Sequence, residues 1–157
     1  MSKTNGMDSK VPRYMLDTNM CIYLIKNQPE EVARRFAQCY VGDVVMSAIT
    51  YAELEYGVTV CANPERERAQ LANLVADIPV VPFDGAAGVA YGPIRLATRD
   101  NKRDHLDKLI AAHAVSLNVT VVTNNVKDFA RYPGVTTENW LSGPADELST
   151  LPAATNH

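Results

Sequence analysis

Paired cysteines, a signal sequence and long apolar runs are all missing from this 157-residue chain. Its three cysteines, Cys21, Cys39 and Cys61, are odd in number and lack the C-x-x-C spacing of a zinc site, so they predict reduced thiols in a cytoplasm. No run approaches the roughly 18 apolar residues of a membrane helix, and the first residues lack the apolar core of a signal peptide. The sequence therefore predicts a cytoplasmic protein with neither disulfides nor membrane segments.

Basic charge is also in short supply, since 15 Lys and Arg stand against 18 Asp and Glu, for a net charge of −3. Proteins that bind nucleic acid usually carry a basic domain or patch. One window departs from the average, with basic residues at Arg95, Arg99, Lys102, Arg103 and Lys108. Because aspartates are interleaved with them, charge patterning alone favours a solvated helix face of mixed sign.

The length fits a single domain, and the sequence predicts one at 14 to 140, with a flexible lead-in at 1 to 13 and a flexible tail at 141 to 157. Short β-rich runs alternate with helical patterns along this domain. Strands are predicted at 14 to 17, 44 to 49, 78 to 83, 119 to 123 and near 134 to 136. Such alternation is typical of a parallel sheet with right-handed crossovers. The predicted fold is a three-layer α/β/α sandwich.

An acidic residue follows the first predicted strand directly, in the stretch Tyr14-Met15-Leu16-Asp17-Thr18-Asn19. Ligands of open parallel sheets bind outside the carboxyl ends of the strands, where Asp17 would lie. Thr18 and Asn19 are good capping types and are predicted to start the next helix. An acid at the end of a buried strand needs a partner. Asp17 therefore points to a functional site.

Two further acids are expected at the same edge. Glu53 follows Thr50 by three residues, the spacing of a capping box, which would place it in the first turn of a helix after the second strand. Asp107 lies in the first turn of a helix predicted at 104 to 118. Each has a simpler explanation, because Glu53 could serve only its cap and Asp107 could serve only the helix dipole. His113, on the apolar stripe of the same helix, is predicted to be a hydrogen-bonded core histidine.

Converging carboxylates repel one another unless a raised pKa, a basic partner or a cation relieves the charge. Oxygen ligands favour Mg²⁺ or Mn²⁺ over softer metals. Such an ion suits phosphodiester chemistry, because it polarises the phosphoryl group and lowers the pKa of water. Three acids from distant parts of the chain thus favour a divalent-metal site.

Four short motifs, in order along the chain, resemble the PIN-domain nucleases, and closely the VapC-type toxins of bacterial toxin-antitoxin pairs. They are Met-Leu-Asp-Thr-Asn at 15 to 19, Ser-Ala-Ile-Thr at 47 to 50 leading to Ala-Glu-Leu-Glu-Tyr-Gly at 52 to 57, Asp-Lys-Leu-Ile-Ala-Ala-His-Ala at 107 to 114, and Val-Thr-Asn-Asn at 122 to 125. Each motif is weak by itself. Together they span most of the chain and are specific.

The resemblance implies an endoribonuclease that depends on Mg²⁺ or Mn²⁺ and cuts structured RNA, either tRNA or rRNA, by attack of a metal-activated water on a phosphodiester. It also implies a homodimer and a VapB-like antitoxin that holds the enzyme inactive. No membrane partner is expected.

Carried over by position, the resemblance makes Asp17, Glu53 and Asp107 the catalytic, metal-binding acids. It assigns a supporting role in orienting them, or the water, to Thr18, Asn19 and Thr123. Many PIN domains have a fourth acid where this chain has Asn125, with Asp128 three residues on, so one firmly held metal is expected. The basic residues Arg95, Arg99, Lys102 and Arg103 become candidates for RNA phosphate contacts.

Two other functions are compatible with an acid after the first strand or with an α/β fold. A phosphoaspartyl phosphatase or receiver protein could use Asp17, but the phosphatase pattern needs an acid at Asn19 and the receiver pattern needs a lysine after a later strand. A non-catalytic RNA-binding or dinucleotide-binding module is weakened by the absence of G-x-G-x-x-G after the first strand. The acids therefore favour a metal-dependent nuclease.

Overall fold

A computed structural model describes residues 11 to 141 of the chain. The lead-in at 1 to 13 and the tail at 141 to 157 lie almost wholly outside these residues, so the domain limits stay predictions. Within the described part, no helix is long and apolar enough to cross a membrane.

Five parallel strands form one sheet in the order β3-β2-β1-β4-β5. In chain order they are β1 Tyr14–Leu16, β2 Val44–Ser47, β3 Val80–Val81, β4 Thr120–Val122 and β5 Thr137–Glu138. The central strand is β1, in which Tyr14 pairs with Val44 on one side and with Thr120 on the other. The edge strand β3 is flanked by Pro79 and Pro82, which have no N–H to donate to a ladder. The final strand lies slightly later than predicted.

Seven helices connect these strands in the described residues and cover both faces of the sheet. They are α1 Thr18–Lys26, α2 Glu30–Ala37, α3 Ala48–Val60, α4 Pro64–Asp77, α5 Gly85–Ala97, α6 His105–Leu117 and α7 Val126–Phe129. Leu16 and Met46 pack with α1 to α4 on one face, whereas Met15 and Val45 pack with α5 and α6 on the other. This alternation follows from the period of two along a strand. The three-layer α/β/α sandwich is confirmed.

Two predicted helix caps are wrong, that of α1 by one or two residues and that of α3 by three. The cap of α1 is Asp17 itself, whose Oδ1 accepts a hydrogen bond from the Met20 N–H at 3.0 Å, and neither Thr18 nor Asn19 is the cap. The cap of α3 is Ser47, whose hydroxyl accepts from the Ile49 N–H. In both cases a good capping residue stands at the end of the strand, as its last residue in β2 and directly after it in β1, so the helix starts at once.

The earlier start of α3 removes the predicted capping box. Thr50 lies inside the helix, and its buried hydroxyl has no hydrogen-bond partner among the described residues. Glu53 therefore lies in the second turn of α3 and has no capping role. A role in helix capping therefore does not explain Glu53.

The buried face of α6 also differs from the predicted stripe. Leu106 is exposed, whereas Lys108 is buried along with Ile110 and His113. The reason is that α6 packs against both the sheet and α5, which makes its buried face wider than one apolar stripe. His113 is the hydrogen-bonded core histidine that was predicted: its Nδ1 lies 2.7 Å from the Ser47 hydroxyl, and burial lowers its pKa.

Candidate active site

Asp17 lies at the carboxyl end of the central strand, where the parallel sheet meets α1. Its side chain is 5% exposed and is held by hydrogen bonds from the backbone N–H groups of Met20 and Asn19 and from the side chain of Thr123. Burial raises the pKa of the carboxyl, and the nearby Glu53 raises it further, although these hydrogen bonds oppose the rise. The Asp17 carboxyl group is thus fixed in orientation, and burial and the charge of Glu53 both disfavour its ionised form.

Glu53 extends from the second turn of α3 toward the same point. Its Oε1 accepts a short hydrogen bond from the Thr18 hydroxyl. Thr18 directly follows Asp17, so this bond ties α3 to the end of the central strand. The half-buried Glu53 raises the pKa of both Asp17 and Asp107 through its negative charge.

Asp107, in the first turn of α6, is the most perturbed carboxyl of the group. Burial and four other carboxylates raise its pKa to about 6. Besides Asp17 and Glu53, these neighbours are Asp104 and Asp128. The structure thus brings together the three acids predicted from distant parts of the sequence.

Asp104 and Asp128 were not among the predicted site residues, and the structure adds both. Asp104 precedes α6 with a φ of 61°, in the left-handed region that an aspartate tolerates better than most residues. Asp128 in α7 accepts a hydrogen bond from the Asn125 side chain at 3.0 Å. The neighbouring Tyr132 also has its pKa raised to about 12, by burial and then by the charges of the aspartates around it. For Asp128 the sequence did contain a signal, since this acid lies three residues after Asn125.

The supporting residues differ in how they contribute. The buried Thr123 donates its hydroxyl proton to the Asp17 carboxylate, which when ionised can only accept, and its Oγ accepts from the Asn125 N–H at 2.9 Å. Asn125 in turn holds Asp128. Asn19 contributes its backbone N–H, while its side chain is exposed.

The donor chemistry of this cluster fits a hard divalent cation. Every candidate ligand is a carboxylate, and none of them forms an ion pair with a basic side chain in the part of the chain that the structure describes. As they lie, no three acidic, histidine or cysteine side chains among residues 11 to 141 are close enough to enclose one ion. The carboxylates therefore share one neighbourhood and repel one another across it.

Glu55, two residues after Glu53, serves as an internal comparison. It forms two hydrogen bonds with the Arg68 guanidinium, at 2.7 and 3.0 Å, and accepts another from the Tyr51 hydroxyl. These bonds lower its pKa to about 2. Glu55 thus pairs locally and is directed away from the acidic cluster.

Replacement of the two glutamates should therefore have opposite results. We expect Glu53→Gln to lower RNA cleavage by about a hundredfold or more, since an amide keeps the Thr18 bond but removes the charge. Glu55→Gln should leave cleavage within about twofold, because it disturbs only an exposed ion pair. Initial rates on one RNA, with thermal midpoints as the folding control, check this pair; equal loss in both variants would contradict the assignment of Glu53.

The basic residues predicted to contact RNA are not equivalent in the structure. Arg95, Arg99 and Lys102 line one cavity beside the start of α6. Arg103 is exposed, but it is not among the residues that line this cavity.

A parallel sheet with clustered acids at the carboxyl ends of its central strands is the architecture of a PIN domain, and the PIN-domain family model matches residues 14 to 135. The chain is 40% identical over 130 residues to the tRNA(fMet)-specific endonuclease VapC of Shigella flexneri. The matched region covers 82% of this chain and 98% of that relative. It is 34% identical over 130 residues to ribonuclease VapC2 of Rickettsia felis, covering 81% of this chain and 97% of that relative.

Solved structures give the same assignment. The fold superposes on DNA-bound VapBC from Salmonella typhimurium with a TM-score of 0.77 and 38% identity, covering 83% of this chain and 99% of that one. The chain belongs to the PIN-domain family and, within it, to the VapC ribonucleases. This assignment favours a nuclease over the phosphoaspartyl and non-catalytic alternatives.

Proposed function

We propose that this protein is the toxin of a toxin-antitoxin pair, a divalent-metal-dependent endoribonuclease that cuts structured RNA. The observation that supports this most is the cluster of Asp17, Glu53 and Asp107, whose charges are not balanced by any described basic residue. The proposed substrate is a tRNA, because two of the similar VapC proteins are named tRNA(fMet)-specific endonucleases. The location that goes with such a substrate is the cytoplasm, in keeping with the free thiols of Cys21, Cys39 and Cys61.

Asp17, Glu53 and Asp107 would hold one metal ion, with Asp104 and Asp128 adding negative potential around it. Mg²⁺ is the proposed ion, with Mn²⁺ as an effective substitute, since both prefer oxygen ligands. When bound, such an ion polarises the phosphoryl group, lowers the pKa of water and stabilises the leaving oxygen. Thr123 and Thr18 keep Asp17 and Glu53 oriented through their hydroxyl groups.

The proposed inhibitor is a VapB-like antitoxin, because the similar solved structures include VapBC complexes. A groove between α1, α3 and α4 is the proposed binding site for a segment of this partner. It is lined by apolar side chains, Ile22, Leu54, Val58 and Leu71 among them, and it reaches Glu53. A basic side chain delivered along this groove would neutralise the acids that the metal needs. A homodimer remains part of the proposal.

Metal removal tests the function. Purified protein freed of antitoxin should cleave initiator tRNA in Mg²⁺ or Mn²⁺, stop in EDTA and resume when excess metal is added. Full cleavage in EDTA would exclude the metal mechanism, and absence of cleavage with every RNA and metal would exclude the ribonuclease. A mock preparation carrying Asp17→Asn controls for contaminating nucleases.

Asn125 should matter less than the three acids. Its amide is a neutral ligand at best, and its clearest contact is the hydrogen bond to Asp128. We expect Asn125→Ala to lower kcat/KM by about tenfold, as removal of an outer hydrogen-bonding partner usually does. Steady-state rates beside Glu53→Gln check the order of the effects; an equal loss would make Asn125 a direct member of the site.

A further inference from the structure

A second cavity, of about 330 Å³, lies between the end of α5, the loop after it and the first turn of α6. The described residues that line it are basic or neutral, without a carboxylate: Arg95, Arg99, Asn101, Lys102, His105 and Lys108. We call it the basic pocket.

Lys108 gives the basic pocket its most unusual feature. This side chain is 1% exposed, and its ammonium group donates to the carbonyl oxygens of Thr98, at 3.3 Å, and Asn101. Among the described residues no carboxylate pairs with it. Two neutral carbonyls satisfy hydrogen bonds but cancel no charge, and a buried cation is costly unless a counter-charge is near. The floor of the pocket therefore carries a positive charge, which a bound anion would neutralise.

The rim of the pocket is also without acidic partners. Arg95, Arg99 and Lys102 are exposed and form no ion pair with a described carboxylate, although Arg95 lies over the ring of Tyr91, 5.9 Å from its centroid. The aspartates interleaved with them in the sequence lie elsewhere. Asp100 is directed to Arg131, at 4.0 Å, while Asp104 and Asp107 belong to the acidic cluster. Asp104 and Asp107 thus lie near the other acids, whereas basic side chains line the pocket. Most charged residues of this window are exposed, as predicted, but Lys108 is buried.

Position ties the basic pocket to the acids. Asp107 and Lys108 are consecutive in the first turn of α6, and consecutive helical side chains diverge by about 100°. One of them therefore faces the acidic cluster while the next faces the pocket. Because both side chains project from the same turn of α6, a polyanionic strand with one phosphate at the acids would extend another phosphate toward the pocket.

We propose that the basic pocket is a phosphate subsite that binds a backbone phosphate of the RNA strand beside the phosphate that is cut. This inference rests on the proposed ribonuclease function. Guanidinium groups bind phosphate oxygens in pairs, and a buried ammonium adds a fixed point charge. Contacts to phosphate set affinity and register but do not read sequence, so the pocket positions the strand without choosing the bond by its bases.

The test compares Arg99→Ala and Lys102→Ala with Arg66→Ala, an exposed arginine of α4 outside the pocket. Binding of a fluorescent tRNA in EDTA is measured across a salt series. Each pocket variant should weaken binding and reduce the slope of log K against log salt by about one, the value for one lost phosphate contact. Arg66→Ala should retain the wild-type slope. In Mg²⁺ the pocket variants should mainly affect KM: the factor by which KM rises should be about ten times the factor by which kcat falls.

Competition with an inorganic anion tests whether tRNA phosphate binds in the basic pocket. Inorganic phosphate should displace tRNA from the wild type more effectively than chloride at equal ionic strength, and Arg99→Ala should abolish this difference. If phosphate competes but pocket variants bind and cleave tRNA like Arg66→Ala, the pocket is an anion site unrelated to RNA and the proposal is wrong. If the wild type cleaves no RNA at all, the proposed function itself has failed. Arg99 and Lys102 are exposed, so their replacement leaves the core intact.

Discussion

Asp17→Asn should lower kcat/KM for RNA cleavage by about a hundredfold or more, a loss of about 2.7 kcal/mol of transition-state stabilisation, while the fold is retained. The asparagine keeps the shape of the side chain and can still accept the Met20 N–H that starts α1. It removes the charge that a divalent ion needs. Because burial raises the pKa of Asp17, the charged form is disfavoured in the metal-free fold, and the thermal midpoint should stay equal or rise.

Asp17→Ala separates the two roles of this residue. It should be as inactive as Asp17→Asn but less stable than that variant by about 1 kcal/mol, since alanine cannot cap α1. Thermal melts and initial rates of both variants beside wild type give the comparison. If Asp17→Asn cleaves RNA at more than a tenth of the wild-type rate, Asp17 is a cap and not a metal ligand.

The pH dependence of stability should reveal Asp107. Its pKa is raised from 3.8 to about 6, so the folded state binds this proton more tightly than the unfolded chain does. The contribution of Asp107 to the stability of the metal-free protein should therefore be lost as the pH rises from about 4 to about 6, with no further change from this group above that. A shift of this size corresponds to at most about 3 kcal/mol, and partial exposure of the group reduces the expected value to about 1 kcal/mol.

Metal should reverse this trend. Above about pH 6 the ionised carboxyl is available as a ligand, and Mg²⁺ or Mn²⁺ at a hundred times its Kd should stabilise the fold by about 2.7 kcal/mol. Asp107→Asn should flatten its part of the pH dependence in EDTA and lose most of the metal effect. Chemical denaturation at several pH values, with EDTA or metal, gives the measurement. An unchanged pH profile in Asp107→Asn would show that another group titrates.

The parts of the site that could be predicted from sequence are those that follow directly from strands. Asp17 comes immediately after a buried β-rich run, so its place at the sheet edge followed from the parallel topology. Asp107 followed from a long helical pattern that leads into the next strand. Glu53 was placed near the site through a capping box that does not exist, because Ser47 caps α3 one turn earlier.

The positions of loop residues, and the burial of residues that depends on packing between helices, were harder to predict from the sequence. Asp104 and Asp128 join the cluster through the left-handed turn before α6 and the short helix α7, neither of which has a strong pattern. The burial of Lys108 could not be seen either, since a lysine on a helix normally extends to solvent. Only the packing of α6 against α5 shows that its charge is enclosed.

The proposed mechanism requires that Asp17, Glu53 and Asp107 hold a divalent ion together. Calorimetric titration of Mn²⁺ into the antitoxin-free protein, above about pH 7 where Asp107 is ionised, measures this directly. We predict one site per chain in the wild type and in Glu55→Gln, and loss of that site in Asp17→Asn. Equal binding of Mn²⁺ by Asp17→Asn and wild type would contradict the proposed metal centre.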